Sequence, residues 1–227
     1  MAQNFDRRRI NGPEESFLPV FDEEEIVSEP GTSRAGRGPL DIRPIYLKPG
    51  LISQANGSAY IETEKTKIAC AVEKGKLNVE VKFAPFSCKK RRAPIRDAED
   101  RSVGVQIQQA LQSAVRVELL PKSTIDIFIM IIENDGIEGC ISAGVVAAST
   151  ALADAGIDML GIVASCSACI MDSGIWLDPT EDEVQRSSGS LIYSGMPALG
   201  TTTHIWQTGQ FSVQDSIRVR VSFVTPL

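Results

Sequence analysis

Five cysteines, a single histidine and two opposed blocks of charge are the side chains in this 227-residue sequence that could do chemistry. Cys166 and Cys169 have C-x-x-C spacing. A structural zinc site needs four ligands. No second such pair is present, and His204 is the only histidine. A redox pair needs a helix N-terminus that lowers a thiol pKa. These two cysteines instead lie in the apolar run from Ile162 to Met171, which reads as a buried strand. They are expected to be packing cysteines. The odd count also argues against a disulfide framework. No nucleophile lies near His204, and neither a Walker A loop nor a dinucleotide fingerprint occurs.

The net charge is −6, but its distribution is uneven. Glu14, Glu15, Asp22, Glu23, Glu24, Glu25 and Glu29 make one acidic block. Lys82, Lys89, Lys90, Arg91, Arg92, Arg96 and Arg101 make a basic one. An acidic chain with one basic tract differs from a generally basic nucleic-acid binder. Any polyanion contact should be confined to that tract. No run of about 18 uncharged apolar residues suggests a membrane span. The N-terminus has no apolar leader, so the cytosol or nucleus is expected.

The elements that must position these residues follow from periodicity. Residues 1–40 carry few apolar residues and read as a flexible arm. Gly50 to Ala55, Ser58 to Thr63, Thr66 to Val72 and Leu77 to Phe83 read as strands of an antiparallel meander, with turns at Asn56-Gly57 and Lys74-Gly75. Val103, Ile107, Ala110, Leu111, Ala114 and Val115 share one helical face. Asp97 is its expected N-cap and Leu119-Leu120-Pro121 its end. Thr124 to Glu133 alternates as a strand, with Ile125, Ile127, Ile129 and Ile131 on one side. Ile141 to Ala155 is a small-residue helix stopped by Gly156. Ile162 to Met171, Ile175 to Leu177, Leu191 to Met196 and His204 to Gln207 complete the strands. The sum is a mixed α/β (α+β) domain, with two helices over one sheet.

Several stretches together carry a resemblance. They are Asn56-Gly57-Ser58-Ala59-Tyr60, Thr66-Lys67-Ile68-Ala69-Cys70, Phe83-Ala84-Pro85-Phe86, Ala151-Leu152-Ala153-Asp154-Ala155-Gly156-Ile157 and Leu177-Asp178-Pro179-Thr180. In order and spacing the chain resembles the RNase PH-like superfamily over about residues 40–215. Phe83 to Phe86 followed by Lys89-Lys90-Arg91-Arg92-Ala93-Pro94 is similar to ring subunits of the eukaryotic RNA exosome. Met196-Pro197 and Trp206-Gln207-Thr208-Gly209 are similar to fungal members. The resemblance implies an RNase PH-like (ribosomal protein S5 domain 2-like) fold over residues 41–217, with residues 218–227 as an atypical short tail. The sequence departs from the family after Val72, where a Tyr-Gly-Pro-Arg turn is missing. It departs again near Ser212 to Ile217: the family continues in a long helix, whereas residues 218–223 alternate as in a strand.

The resemblance also implies what the chemistry would need. Phosphorolytic members hold phosphate at a Gly-Thr-Arg turn opening a helix, where backbone N–H groups and the arginine grip the anion. The matching turn runs from Asn134 to Ser142, with Glu138 in place of threonine and Gly139 in place of arginine. A carboxylate there repels phosphate, and the bidentate donor is lost. Asp178 matches the first metal-binding aspartate, and the second falls at Val184, with Asp182 and Glu183 beside it. One matched carboxylate is too few for magnesium. Accordingly no catalytic residue, metal or cofactor is expected, and Glu138 and Gly139 mark a degenerate phosphate site. By resemblance, Lys89, Lys90, Arg91, Arg92 and Arg96 line a path for single-stranded RNA; without it, they read as a solvated turn. The implied partners are other RNase PH-like subunits of a ring, RNA-binding cap subunits and a separate hydrolytic exonuclease. The implied work is RNA processing and turnover, including rRNA processing, in nucleus, nucleolus and cytoplasm. The competing readings are a phosphate-dependent 3′–5′ exoribonuclease of the same fold and an unrelated α/β binding module.

Overall fold

A computed structural model describes residues 37–73, 75–88, 91–92, 98–119, 123–171, 174–209 and 217–219. The expected acidic arm, the Lys74 turn, Lys89, Lys90, Arg96, the Asp97 cap and Leu120-Pro121 lie outside the described residues.

The chain opens with two antiparallel hairpin strands, and then a third. They are β1 (Tyr46–Pro49), β2 (Gly57–Thr63) and β3 (Thr66–Glu73), in the register Tyr46↔Glu62 and Tyr60↔Ala69. The strand expected at Gly50 to Ala55 is a loop, and the strand lies before it at Tyr46–Pro49. Asn56-Gly57 is therefore no two-residue hairpin turn. Gly57 begins β2, where a Cβ would stand 2.4 Å from both the Ala151 carbonyl oxygen and the Ala155 nitrogen. Glycine is needed there so that the strand can touch the end of a helix.

Strand β4 (Gly75–Phe83) does not continue the meander. Helix α1 (Ala98–Gln112) follows it and returns the chain to β5 (Thr124–Glu133), which pairs parallel to β4 and antiparallel to β3. The sheet order is β1-β2-β3-β5-β4. A β-α-β crossover explains the insertion, because parallel neighbours need a long connection and α1 supplies it. The expected alternation of β5 is observed: Ile125, Ile127, Ile129 and Ile131 are buried and Phe128 and Met130 exposed. Helix α1 stops at Gln112, earlier than expected. Ala114 and Val115 are still buried, but in the turn after it, where Val115 bridges to Met159.

Helix α2 (Ile137–Asp154) begins four residues before its expected start. Gly156 stops it in the left-handed region, φ 67°, as expected. Thirteen of its 18 residues are buried, because it packs on β2 and β3 on one side and on a second sheet on the other. That second sheet corrects the one-sheet expectation. It holds β6 (Ala164–Met171), β7 (Gly174–Leu177), β8 (Gly189–Met196) and β9 (Thr201–Gly209), in the order β7-β6-β8-β9. The alanines and glycines of α2 let two sheets approach one helix. A short helix, α3 (Glu181–Arg186), lies between β7 and β8. Ile192, Val163 and Met196 of the second half join the core built by the first sheet and both helices. On its far side Leu177, Leu191, Tyr193 and Ala168 pack with Val219. Of the strand expected at 218–223, Arg218 and Val219 are described, and with Ile217 they are helical.

Cys166 and Cys169 are both on β6. Three residues apart in a strand, they point to opposite faces. Burial pushes the Cys166 thiol up to about 12. Neither geometry nor acidity suits a redox pair, and both cysteines serve packing.

The close approach at Gly57 generates a prediction. Gly57→Ala should destabilise the chain by about 3 kcal/mol, the upper range of overpacking costs, since two backbone groups must move. The urea midpoint reports it; an unchanged midpoint contradicts the packing.

Candidate functional site

The turn Asn134-Asp135-Gly136 joins β5 to α2 and puts Glu138 and Gly139 in the first helical turn. Helix burial directs Glu138 inward. Its carboxylate accepts a hydrogen bond from Ser190 Oγ on β8 at 2.8 Å. At Gly139 a Cβ would lie 3.5 Å from Nη2 of Arg43 and 3.8 Å from Thr66 Oγ1. An arginine side chain at that position would set out against another guanidinium.

Arg43 is the residue that sequence reasoning missed. It is 1% exposed and is the largest fully buried side chain among the described residues. Its Nε and Nη2 donate to the two carboxylate oxygens of Asp178 at 2.8 and 2.6 Å, and its backbone N–H donates to Asp178 as well, at 2.9 Å. Nη1 donates to Asp135 at 2.8 Å. Arg37 adds a further cation 3.5 Å from Asp178. The bidentate geometry is the strong form of a charge-assisted pair. Burial alone would raise the Asp178 pKa, but the Arg43 hydrogen bonds and charge outweigh it and hold the carboxyl below its ordinary range. The carboxylate that resemblance assigned to a metal is thus bound by the protein's own arginine. Nothing in the Leu40-Asp41-Ile42-Arg43 stretch singles Arg43 out, because its partners lie far away in the sequence.

Asp178 sits at the end of β7 with φ 51°. The two residues after it lead into α3, where Thr180 and Glu183 form a capping box. The Asp178-Pro179-Thr180 segment therefore leads directly into a helix start. Val184 lies on that helix. Beside Arg43 and Gly139 opens a cavity of about 430 Å³, lined mainly by aliphatic groups such as Leu40, Ile42, Ile61, Val146 and Val219. Its charged groups, Arg43 and Asp178, are spent on each other. No group of three or more metal-ligating side chains occurs among the described residues.

The structure brings the described part of the basic tract to this same turn. The Ala84 N–H donates to Ile131 and the Asn134 N–H to Ser87, both at 2.9 Å, so the loop after β4 is zipped to the end of β5. Asn134 also spans two thiols: its Nδ2 lies 3.6 Å from Cys88 Sγ, and its Oδ1 lies 2.9 Å from Cys140 Sγ. Arg91 is exposed. Arg92 is not available in the same way. Its guanidinium carbon stacks 4.1 Å from the Phe83 ring centroid, Nη2 lies 2.7 Å from Glu99, and Nε donates to Cys88 Sγ at 3.1 Å. Two adjacent arginines thus have different surroundings. His204, on β9, is half-buried, and burial lowers its pKa.

The Arg43 pair predicts two results. Arg43→Met leaves Asp135 and Asp178 without their shared cation and should cost about 3–5 kcal/mol. Adding Asp178→Asn should recover part of that loss, which a double-mutant cycle by urea unfolding measures. The depressed Asp178 pKa makes its contribution complete above the ordinary aspartate value of 3.8, and that contribution is lost as pH falls through the lower folded value. Asp178→Asn should therefore flatten the acid limb of the Tm-against-pH curve. An unchanged limb contradicts the assignment.

Comparison with known proteins places this geometry. Residues 41–158 match the family model described as "3' exoribonuclease family, domain 1", RNase PH. The chain is 34% identical over 236 residues to "Exosome complex component mtr3" of Schizosaccharomyces pombe, covering 97% of this chain and 88% of that protein. It is also 34% identical to "Exosome complex component MTR3" of Homo sapiens, covering 93% and 86%. Among solved structures, rice Rrp46 superposes with a TM-score of 0.73 at 18% identity, covering 83% of this chain and 91% of that one, and shares the fold. With a family model over half its length and relatives aligned nearly end to end, the chain belongs to the RNase PH family of 3′ exoribonucleases and exosome components.

Proposed function

We propose that the chain is a non-catalytic subunit of the RNA exosome ring. It supports 3′–5′ RNA processing and degradation, rRNA processing included, and helps line the RNA path. The observation that carries this reading is that the charged groups at the pocket are paired with each other. Arg43 pairs with Asp178 and abuts Gly139, while Glu138 holds a buried carboxylate in the first turn of α2, against Ser190. The relatives named as MTR3 exosome components supply the assembly. In that assembly the partners are other RNase PH-like subunits, RNA-binding cap subunits and a separate hydrolytic exonuclease, and the complex works in nucleus, nucleolus and cytoplasm. The same pocket argues against the phosphate-dependent exoribonuclease reading. That reading needs a free anion donor and two metal carboxylates, and here the matching positions hold Gly139, a salt-bridged Asp178 and Val184.

Lys89, Lys90, Arg91 and Arg96 give the RNA path its charge. Such a path grips the phosphate backbone without reading bases. Arg92 belongs to the tract in sequence, and its contacts to Phe83, Glu99 and Cys88 make it the staple of the loop.

Co-expression with the neighbouring ring subunits tests the assembly: the chain should be recovered in stoichiometric complex. Reversing Lys89, Lys90 and Arg91 to glutamate while keeping Arg92 should leave that recovery intact. It should weaken single-stranded RNA binding and lower the slope of log K against log salt by about 0.7 per lost contact. Unchanged affinity and slope would sink the path. Phosphate-dependent release of nucleoside diphosphate by this chain would overturn the non-catalytic reading.

A further inference from the structure

We propose that Phe86 is a stacking platform for a base of single-stranded RNA, with Arg91 holding the adjoining phosphate. The inference rests on the RNA-path reading above and adds to it a contact to the base.

At 71% exposure, Phe86 is the most exposed large hydrophobic side chain among the described residues. Its exposure is built in. Ala84, Pro85, Phe86 and Ser87 form a β-turn, closed by the Ser87 N–H donating to the Ala84 carbonyl at 2.9 Å. Proline fixes the first central position, and the ring stands at the second. The hydrogen bonds of Ala84 to Ile131 and of Asn134 to Ser87 anchor both ends of the turn to β5. The contrast with Phe83 is informative. That ring is 6% exposed and serves as the floor for Arg92. Two phenylalanines three residues apart therefore have opposite fates, one inside and one presented.

Arg91 is positioned by the same device. The Arg92 N–H donates to the Pro85 carbonyl at 3.0 Å. Phe86 follows that carbonyl directly, and Arg91 directly precedes that N–H. Phe86 and Arg91 are thus the first and last residues of the loop that one backbone hydrogen bond closes. Because Arg92 is committed to Phe83, Glu99 and Cys88, this bond is held in place. An exposed ring and an exposed cation at the two feet of one loop match the two parts of a nucleotide. Stacking accepts any base, as a threading path requires.

The test uses the chain assembled with its ring neighbours and a fluorescein-labelled oligoadenylate, read by polarisation across a salt series. Phe86→Ala should weaken binding about tenfold, within the range of one lost base stack, and leave the salt slope unchanged. Phe86→Trp should retain wild-type affinity. On the same oligonucleotide with abasic sites, Phe86→Ala and wild type should bind alike. Normal binding by Phe86→Ala, alongside weakened binding by Arg91→Glu, overturns the stacking proposal and leaves the RNA path standing. Normal binding by both removes the path as well. Loss of neighbouring subunits on purification of Phe86→Ala makes Phe86 a protein contact and overturns the proposal.

Discussion

A fully buried cation has to be paired, and the pairing of Arg43 organises this molecule. Its two carboxylates come from places far apart in the chain, 92 and 135 residues away. Asp135 precedes the central helix, and Asp178 ends the first hairpin of the second sheet. The arginine itself belongs to the segment leading into the first sheet. One guanidinium therefore ties both sheets and the helix between them at a single point. Removing either side leaves a charge in a site that water cannot fully reach, which is why such pairs are costly to break.

That tie also determines what the pocket can do. Anion binding at a helix N-terminus draws on free N–H groups and the helix dipole, and a nearby cation strengthens it. Here Arg43, the cation beside Gly139, is paired with Asp178 and Asp135, and Glu138 is buried against Ser190. Gly139 provides no side chain to restore the grip. The consequence is a division of labour within one loop cluster. The turn before the helix is closed by internal charge pairs, while the loop after β4, zipped to that turn through Ser87 and Asn134, keeps Phe86 and Arg91 toward solvent.

Much of the architecture was legible in the sequence, because its signals are local. The isoleucines of β5 declare one buried face, Gly156 declares a helix stop, and the small residues of α2 declare close packing. Sheet membership was not legible. Nothing in the apolar alternation of β4 or β5 says whether they pair with each other or with β3, and the crossover through α1 decides it. The Asn56-Gly57 signal misled because glycine can serve a close approach as well as a turn. The second sheet was hidden for a similar reason: alternating strands look alike whichever sheet they join. At the site, Glu138 and Gly139 could be read from a motif, but Arg43 could not, since its partners are set by tertiary contact alone. Arg91 and Arg92 are indistinguishable as letters, and only Phe83, Glu99 and Cys88 tell them apart.

A turn from Asp135 to Gly139 closed to phosphate by the protein's own charges should leave the first amides of α2 silent to that anion. Titrating inorganic phosphate while following the backbone amides of Ile137, Glu138 and Gly139 by nuclear magnetic resonance tests it most directly. No saturable shift is expected at these amides, only a uniform, salt-like drift throughout the chain. A saturable shift confined to them would contradict it.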